Sequence, residues 1–500
     1  VLKEVTIVYT NDFHAQDKPV RATWVEGSPM MGGAAHLAAY VKKVRAEETN
    51  VVVLDAGDIL TGPPISTLTE GEAPIDLYNH IGYDAVAVGN HEFDHGWQRA
   101  RQLLSRAQFP FLSANIFYKN TNILFAKPYE IIDAGDVKIG VIGIHGKKAG
   151  YETVQLSLVT ELEFRSQESI LQEYVNVLRP HVDLVVVLAH QGIPAEQGTE
   201  DREVDVERDF EEDVYIINNV TGIDVLIAGH CHKSIEKPYV AQKTGTLLVS
   251  TRGLGTVAGY LNMKLDSVTK KIVDYDGYLK PIMSDEITPD PVLVERLNYW
   301  DEKLQVLIDQ KIGYATDSFT RNYFEESTLG NLITDAVREY TNVDAAFQVG
   351  GGLRADVVKG DITYGDMMNV VPFNSEIYVM DMKGDDLLYL LEQSAAMRSG
   401  VLQQSGLTLV IDVSREIGNR VLEATMNGQP VSLDNQYSVA VNAFIVSGGD
   451  GFTGFLRGRN VRSVSIIERE LVVDYIKKMK TITPRIDGRI IVKETAEHAV

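Results

Sequence analysis

Five hundred residues, 44% of them hydrophobic, make a globular chain long enough for two or three domains. Acidic residues outnumber basic ones 70 to 47, and the formal net charge of −23 argues against nucleic acid or an anionic membrane surface as a partner. One cysteine, Cys231, excludes an intramolecular disulfide, and no run of roughly 18 or more apolar residues is present to span a membrane.

The first predicted element is a strand, Val5-Thr6-Ile7-Val8-Tyr9, running into Thr10-Asn11-Asp12-Phe13-His14. Asp12 and His14 point the same way if the backbone stays extended, so both can reach one ion. Apolar residues at helical spacing from Gly33 to Glu48 predict a helix packed on the sheet. Val51-Val52-Val53-Leu54-Asp55-Ala56-Gly57-Asp58 is a second buried strand ending in a carboxylate. A third, Ala85 to Val88, stops at Gly89, read as a tight exit, after which Asn90, His91 and Asp94 stand together. An amide oxygen ligates a hard cation without adding charge. The adjacent imidazole can donate to a reacting oxygen, and a carboxylate three residues on can hold its tautomer. The plain alternative is a surface turn whose polar residues satisfy the backbone.

Strands over Lys138 to Ile144, Asp183 to Gly192 and Asp224 to His232 follow, with helical stretches at Gln167 to Leu178 and Asp209 to Val220. Alternating strands and helices with polar residues massed at strand ends predict an α/β sheet that binds its ligand at the strand C-termini. Five of the eleven histidines (His14, His91, His190, His230 and His232) directly follow short apolar runs. His36, His80, His95, His145, His181 and His498 read as structural or surface residues, with His95 at most outside the ligand set. With Asp12, Asp58 and Asn90, the five form an oxygen and nitrogen set without thiolates, suited to Mn, Fe, Co, Zn or Mg. Eight groups are too many for one ion; two ions roughly 3.5–4 Å apart, sharing one carboxylate and activating a water, fit the number. Such ions would also draw an anionic substrate to an acidic protein. Cys231 between two ligands should point away and pack.

From Ser284 to Gly313 the composition changes. Pro289 and Pro291 suit a helix start, and Leu293, Leu297, Trp300, Leu304 and Leu307 follow at steps of three and four. The stripe predicts one rigid connecting helix, with Lys311 to Gly313 as a hinge where rotation would occur. The expected division is 1–285, 286–313 and 314–500. Beyond it, Thr328 starts a helix, and Gly350-Gly351-Gly352-Leu353-Arg354 is a loop open to a ligand with a cation behind it. Phe373 and Phe444 are rings that could stack a flat heterocycle, or else core; Asp450, among glycines, could take ribose hydroxyls. Thr495 to Val500 reads as a frayed tail.

Asp12-x-His14, Gly57-Asp58, Gly89-Asn90-His91-Glu92, His190 and Gly229-His230-x-His232 resemble the five blocks of the calcineurin-like metallophosphoesterases. The GNHEFD form with a second domain after it resembles the 5′-nucleotidase and UDP-sugar hydrolase family over nearly the whole chain. The resemblance implies an N-terminal four-layer α/β/β/α sandwich, a linker helix and a C-terminal α+β nucleotide-binding domain. It implies one metal on Asp12, His14 and His232, another on Asn90, His190 and His230, Asp58 bridging them, and His91 with Asp94 as the catalytic dyad. Phe373 and Phe444 match its nucleobase sandwich, Asp450 its ribose contact and Arg354 an arginine of its nucleotide site. Thr328 and Val349 depart from the family, where many relatives carry Arg and Asn. The stretch His14-Ala15-Gln16 to Pro19-Val20 is similar to the thiosulfohydrolase branch. The expected activity is release of phosphate from nucleoside 5′-monophosphates. Alternatives are a 2′,3′-cyclic nucleotide phosphodiesterase, a UDP-sugar hydrolase, a thiosulfohydrolase-like enzyme or a non-catalytic nucleotide-binding protein. The expected partner is a small nucleotide or nucleoside, with no nucleic acid and no membrane span. The chain opens on a strand with no charged-then-apolar segment ahead of it. Either the protein is cytosolic or an export signal has been removed; the expected location is exported, periplasmic or at the cell surface with the signal removed, and the alternative is the cytoplasm.

Overall fold

The computed structural model describes residues 1–195 and 204–493; Thr495 to Val500 and His498 lie outside the described residues. The chain forms two compact units, Val1–Leu304 and Gln305–Val500. In the first unit, one six-stranded sheet runs in the order Ile272–Pro281, Val257–Asp266, Leu2–Thr10, Val51–Asp55, Ala85–Ala87, Phe111–Leu112. The last four of these strands are parallel. The second six-stranded sheet runs Tyr239–Val240, Leu247–Ser250, Val225–Gly229, Leu184–His190, Val137–His145, Tyr129–Ala134, with its four central strands parallel.

Alternation along each strand builds the layers. Val5, Ile7 and Tyr9 share a core with Leu184, Val186 and Leu188 between the sheets. Val8 and Val53 face the helices Ala34–Glu47 and Glu72–Ile81 on one outer side. Val185 and Val187 face Gln167–Leu178 and Glu211–Asn219 on the other. The result is the four-layer α/β/β/α sandwich. The helix expected over 209–220 is two, Val206–Asp209 and Glu211–Asn219, broken where buried Phe210 leaves helical geometry with φ of −121°. The parallel strands of both sheets end in register, Thr10 beside Asp55 and His190 beside Gly229. Their exit loops therefore lie together.

The helix Pro291–Ile308 follows. Leu293 and Trp300 are buried against the first unit, and Arg296 Nε and Trp300 Nε1 each donate to Asp76 Oδ2 at 2.9 Å. The division between the units falls inside this helix, so its first turns belong to the N-terminal unit. The expected hinge is not a loose segment. Lys311–Ala315 is a strand, Gly313 pairs with Ile362, and a Cβ on Gly313 would overlap Ile476 Cγ2. That glycine answers a packing constraint, which a composition-based hinge reading does not register.

The second unit centres on a five-stranded sheet, ordered Gln403–Ser405, Ala345–Gln348, Gln436–Asn442, Glu376–Lys383, Arg459–Ile467. Helices Thr328–Thr341 and Glu468–Met479 cover one face, and Gly384–Ala395 the other. Ser327 caps the first of these, its Oγ accepting from Gly330 N at 2.9 Å. Among the described residues no helix is long and apolar enough to cross a membrane.

Candidate active site

The loops after the parallel strands of the first unit bring the predicted ligands together, by a backbone route that strand alternation does not foresee. Asp12 and His14 are not in an extended segment: their φ angles are +51° and +48°. Asp58, His230 and His232 are also left-handed, at +61°, +76° and +55°. Each such non-glycine residue stores roughly 1–3 kcal/mol of strain and persists only where neighbours fix it. Here Asp12 N donates to Gly57 O at 2.9 Å, His14 N to Asp58 O at 3.0 Å, and Leu254 N to Asp12 O at 2.7 Å. Gly89 is not a tight exit: a Cβ there would overlap Asp58 Oδ1, so the glycine admits the carboxylate.

The centre is a convergence of acceptors. His14 Nδ1 lies 2.9 Å from Thr61 O, His190 Nδ1 2.8 Å from Ala56 O, and His232 Nδ1 2.8 Å from Ala195 O. A carbonyl only accepts, so each Nδ1 carries the hydrogen and each Nε2 turns a lone pair inward. His14 Nε2 and His232 Nε2 are 3.3 Å apart, and His190 Nε2 is 3.0 Å from Asn90 Oδ1 and 3.1 Å from Asp58 Oδ2. Among the described residues, neither ring nitrogen of buried His230 has a hydrogen-bond partner, and Asp58 Oδ2 has none beyond its approach to His190 Nε2. Two groups follow, Asp12, His14, Asp58 and His232, and Asp58, His190 and His230, with their ligand atoms within 4.8 Å of one another. Asp58 is common to both.

Lone pairs packed against lone pairs call for a cation. Burial opposes charge on Asp58, yet His190, His91 and His14 hold its carboxyl well below the usual range. Burial likewise works against charging His190, and Asp58, then Asp12, outweigh it and raise the ring to about 10: with no ion between them, the acidic oxygens draw a proton onto Nε2 in the place a cation would take. His230 is pushed the other way, by burial and by His190. The donor set, the orphaned atoms and the demand for positive charge fit divalent metal.

His91 belongs to neither group. Its Nδ1 donates to Asp94 Oδ2 at 2.7 Å, and Thr61 Oγ1 donates to the same oxygen at 2.5 Å. The His91 ring centroid lies 5.1 Å from that of His14, and its Nε2 4.0 Å from Asp58 Oδ2, so the ring borders the cluster. Cys231 is buried with Sγ toward Gln191 O, pointing away as expected. His145 is buried behind His190, its ring pushed down to about 3 by burial and by His190.

Sequence reasoning missed Glu92. Its buried carboxylate accepts from Gly89 N at 2.6 Å, Asp58 N at 3.1 Å, Ile59 N at 2.8 Å and Leu60 N at 3.3 Å, tying two strand-end loops together. Burial, then the Asp58 charge, pushes it up to about 7. It stands inside the GNHEFD motif, so the signal was present, but only the fold shows what it holds. Asn11 was missed too: its Nδ2 donates to Asp12 Oδ2 at 2.7 Å.

In the second unit, Gly351 and Asp450 meet: a Cβ on Gly351 would sit 3.2 Å from Asp450 Oδ2. Arg354 Nη1 lies 3.5 Å from Gly351 O. Phe373 and Phe444 are half-buried, each on its own segment, and Gly449 is pressed against the Phe444 ring. Arg398, unforeseen, borders this loop, 3.1 Å from where a Gly451 Cβ would be. Val349 is buried in the apolar core, and Thr328 Oγ1 accepts from Thr320 N at 2.8 Å, so both departures serve the protein's own packing.

Such a sandwich, with this cluster at its strand ends, defines a metal-dependent phosphoester hydrolase. Residues 5–234 match the calcineurin-like phosphoesterase family, and residues 311–457 match the 5′-nucleotidase C-terminal domain. The chain is 30% identical to the 5′-nucleotidase of Homo sapiens, over 97% of this chain and 90% of that protein. It is similar to the solved 5′-nucleotidase precursor of Thermus thermophilus, with 28% identity, 98% and 99% coverage and a TM-score of 0.86. It shares its fold with a Thermus thermophilus sulfate thiohydrolase, at 20% identity, 98% and 96% coverage and a TM-score of 0.80. The chain belongs to the 5′-nucleotidase family.

Proposed function

We propose that this enzyme releases phosphate from nucleoside 5′-monophosphates at a two-metal site in its N-terminal unit, with nucleoside recognition in its C-terminal unit. The observation that carries the reading is the pair of overlapping ligand groups that share the buried carboxylate of Asp58. Asp12, His14 and His232 would hold one ion and Asn90, His190 and His230 the other, with Asp58 common to both. Bound there, divalent Mn, Fe, Co, Zn or Mg supplies positive charge for the phosphoryl oxygens and acidifies a water.

Hydrolysis joins a water oxygen to phosphorus and breaks the bond from phosphorus to the ester oxygen. His91 contributes by charge. Asp94, 2.7 Å from Nδ1, stabilises the doubly protonated ring, whose Nε2–H then donates to the phosphoryl or leaving oxygen. Thr61 fixes Asp94 and thereby the plane of the imidazole. In the other unit, half-buried Phe373 and Phe444 stack the base, Asp450 accepts from ribose hydroxyls, and Arg354 lends a cation.

The test is a substrate profile of purified, Mn-loaded protein against nucleoside monophosphates, cyclic nucleotides, UDP-sugars and thiosulfonate esters. Phe373→Ala or Phe444→Ala should raise KM for the nucleotide roughly 5- to 150-fold, the scale of one ring stacked on a base. Activity on p-nitrophenyl phosphate, which has no base to stack, should fall far less. Equal loss on both esters would make the rings core residues and overturn the nucleoside reading.

A further inference from the structure

The segments bearing Phe373, Phe444 with Asp450, and Gly350–Gly352 with Arg354 belong to different strands and helices of the second unit. Two adjacent buried residues at the start of the helix Glu468–Met479 hold all three. Glu468 Oε1 accepts from Gln348 Nε2 at 2.6 Å, and Glu468 Oε2 from Asn442 Nδ2 at 3.0 Å. The far ends of the two amides are also used. Gln348 Oε1 accepts from Val349 N at 2.7 Å, at the head of the glycine loop. Asn442 Oδ1 accepts from Ile445 N at 3.1 Å, capping the turn that carries Phe444. Glu468 N donates to Ser375 O at 2.9 Å, two residues after Phe373. Arg469 closes the set: Nη1 donates to Val371 O at 3.1 Å and Phe373 O at 3.3 Å, and Nη2 to Asn374 Oδ1 at 2.8 Å.

We propose that Glu468 and Arg469 are the positioning pair of the nucleoside site, fixing the relative placement of its two rings, its carboxylate and its glycine loop without touching the ligand. The inference rests on the nucleotide reading above. Its physical basis is donor and acceptor polarity. A carboxylate has only acceptors to offer, so both amides must turn their NH2 groups toward Glu468 and their oxygens toward the loops. In Glu468→Gln, of nearly the same shape, an NH2 meets an NH2. One amide then has to flip, and Val349 N or Ile445 N loses its acceptor. Arg469→Lys keeps the charge but replaces a planar fork by one ammonium, which cannot serve two carbonyls and an amide together.

The experiment measures binding of adenosine, guanosine, cytidine and uridine to the full chain by calorimetry, with steady-state kinetics on the matching monophosphates. Glu468→Gln and Arg469→Lys should each weaken the best nucleoside roughly 5- to 50-fold, the scale of one buried donor left unpaired, and the loss should fall on KM far more than on kcat. The double variant Gln348→Glu with Glu468→Gln reverses the polarity of one bond and restores every other, so it should recover binding. A merely destabilised fold gains nothing from that exchange. If Glu468→Gln does not fold, the double variant alone decides: a folded, binding protein supports the pair, and a folded non-binder or an unfolded chain overturns it. Phe373→Ala separates the two ideas. If no nucleoside binds, or Phe373→Ala leaves binding intact, the nucleotide reading fails. If Phe373→Ala weakens binding while Glu468→Gln and Arg469→Lys do not, the reading stands and the positioning pair is wrong.

Discussion

His91 and Asp58 are joined by a hydrogen bond, His91 N donating to Asp58 Oδ1 at 2.8 Å, and the proposed reading gives them different tasks. Asp58 is the carboxylate common to both ligand groups, so Asp58→Asn, which removes its charge, should weaken both metals, whereas His232→Ala should mainly release one. His91→Ala should retain the full metal content and lose roughly 10²–10⁴ in turnover, the range for a positioned acid or charge-stabilising group. Metal analysis alongside kcat checks the three variants together. An Asp58→Asn protein holding two ions, or a His91→Ala protein that has lost metal, reverses the assignments.

At the level of the element, the site depends on how two strand ends are trimmed. Gly89 ends one strand so closely against another loop that a methyl group would meet Asp58 Oδ1 and Asp58 N. Gly89→Ala is therefore expected to displace the shared carboxylate and abolish metal binding. Three residues on, Glu92 receives four backbone N–H groups from the same two loops. Glu92→Gln leaves an NH2 facing those donors. It should lower stability by roughly 1–3 kcal/mol, as for a buried donor without an acceptor. Thermal unfolding of Glu92→Gln tests that; a melting temperature equal to that of the parent would show that the carboxylate is dispensable there. A methyl group and an amide thus separate geometric from electrostatic support of one site.

For the whole molecule, the two units make a specific thermodynamic prediction. The ligand groups lie wholly within residues 12–232, and the core beneath the glycine loop and Asp450 within 345–490. Metal binds the folded N-terminal unit and finds no assembled site in the unfolded chain, so it stabilises that unit by RT ln(1 + [L]/Kd), about 2.7 kcal/mol at a hundred times Kd. Scanning calorimetry of the full chain should show Mn raising the transition of the N-terminal unit and a chelator lowering it. Asp58→Asn, with both ions weakened, should shrink the shift at the same Mn concentration. A metal-induced rise of undiminished size in Asp58→Asn would place the bound ions elsewhere.

Much of this molecule is legible in the chain because it is decided by neighbours in sequence. Val5, Ile7 and Tyr9 lie on one face of the first strand and Val8 on the other, as period-two alternation requires, and Asp12, Asp58, His190 and His230, read at strand ends, are gathered by the fold into two groups. What tertiary structure alone decided involves residues far apart in sequence. The left-handed backbone at Asp12, His14 and Asp58 is held by bonds between the first two strand-end loops, over forty residues apart, so no local propensity reports it. Gly313 looked like freedom and proved to be contact with Ile476; Val349 looked like a missing ligand and proved to be core. Glu468 shows the difference most plainly. In sequence it is one acidic residue among seventy, with no motif around it. It becomes significant only when the sheet brings Gln348, 120 residues away, within 2.6 Å of its carboxylate. Pairing of that kind is a property of the folded packing, since a short-range pattern carries no information about which distant donor will be buried against which acceptor.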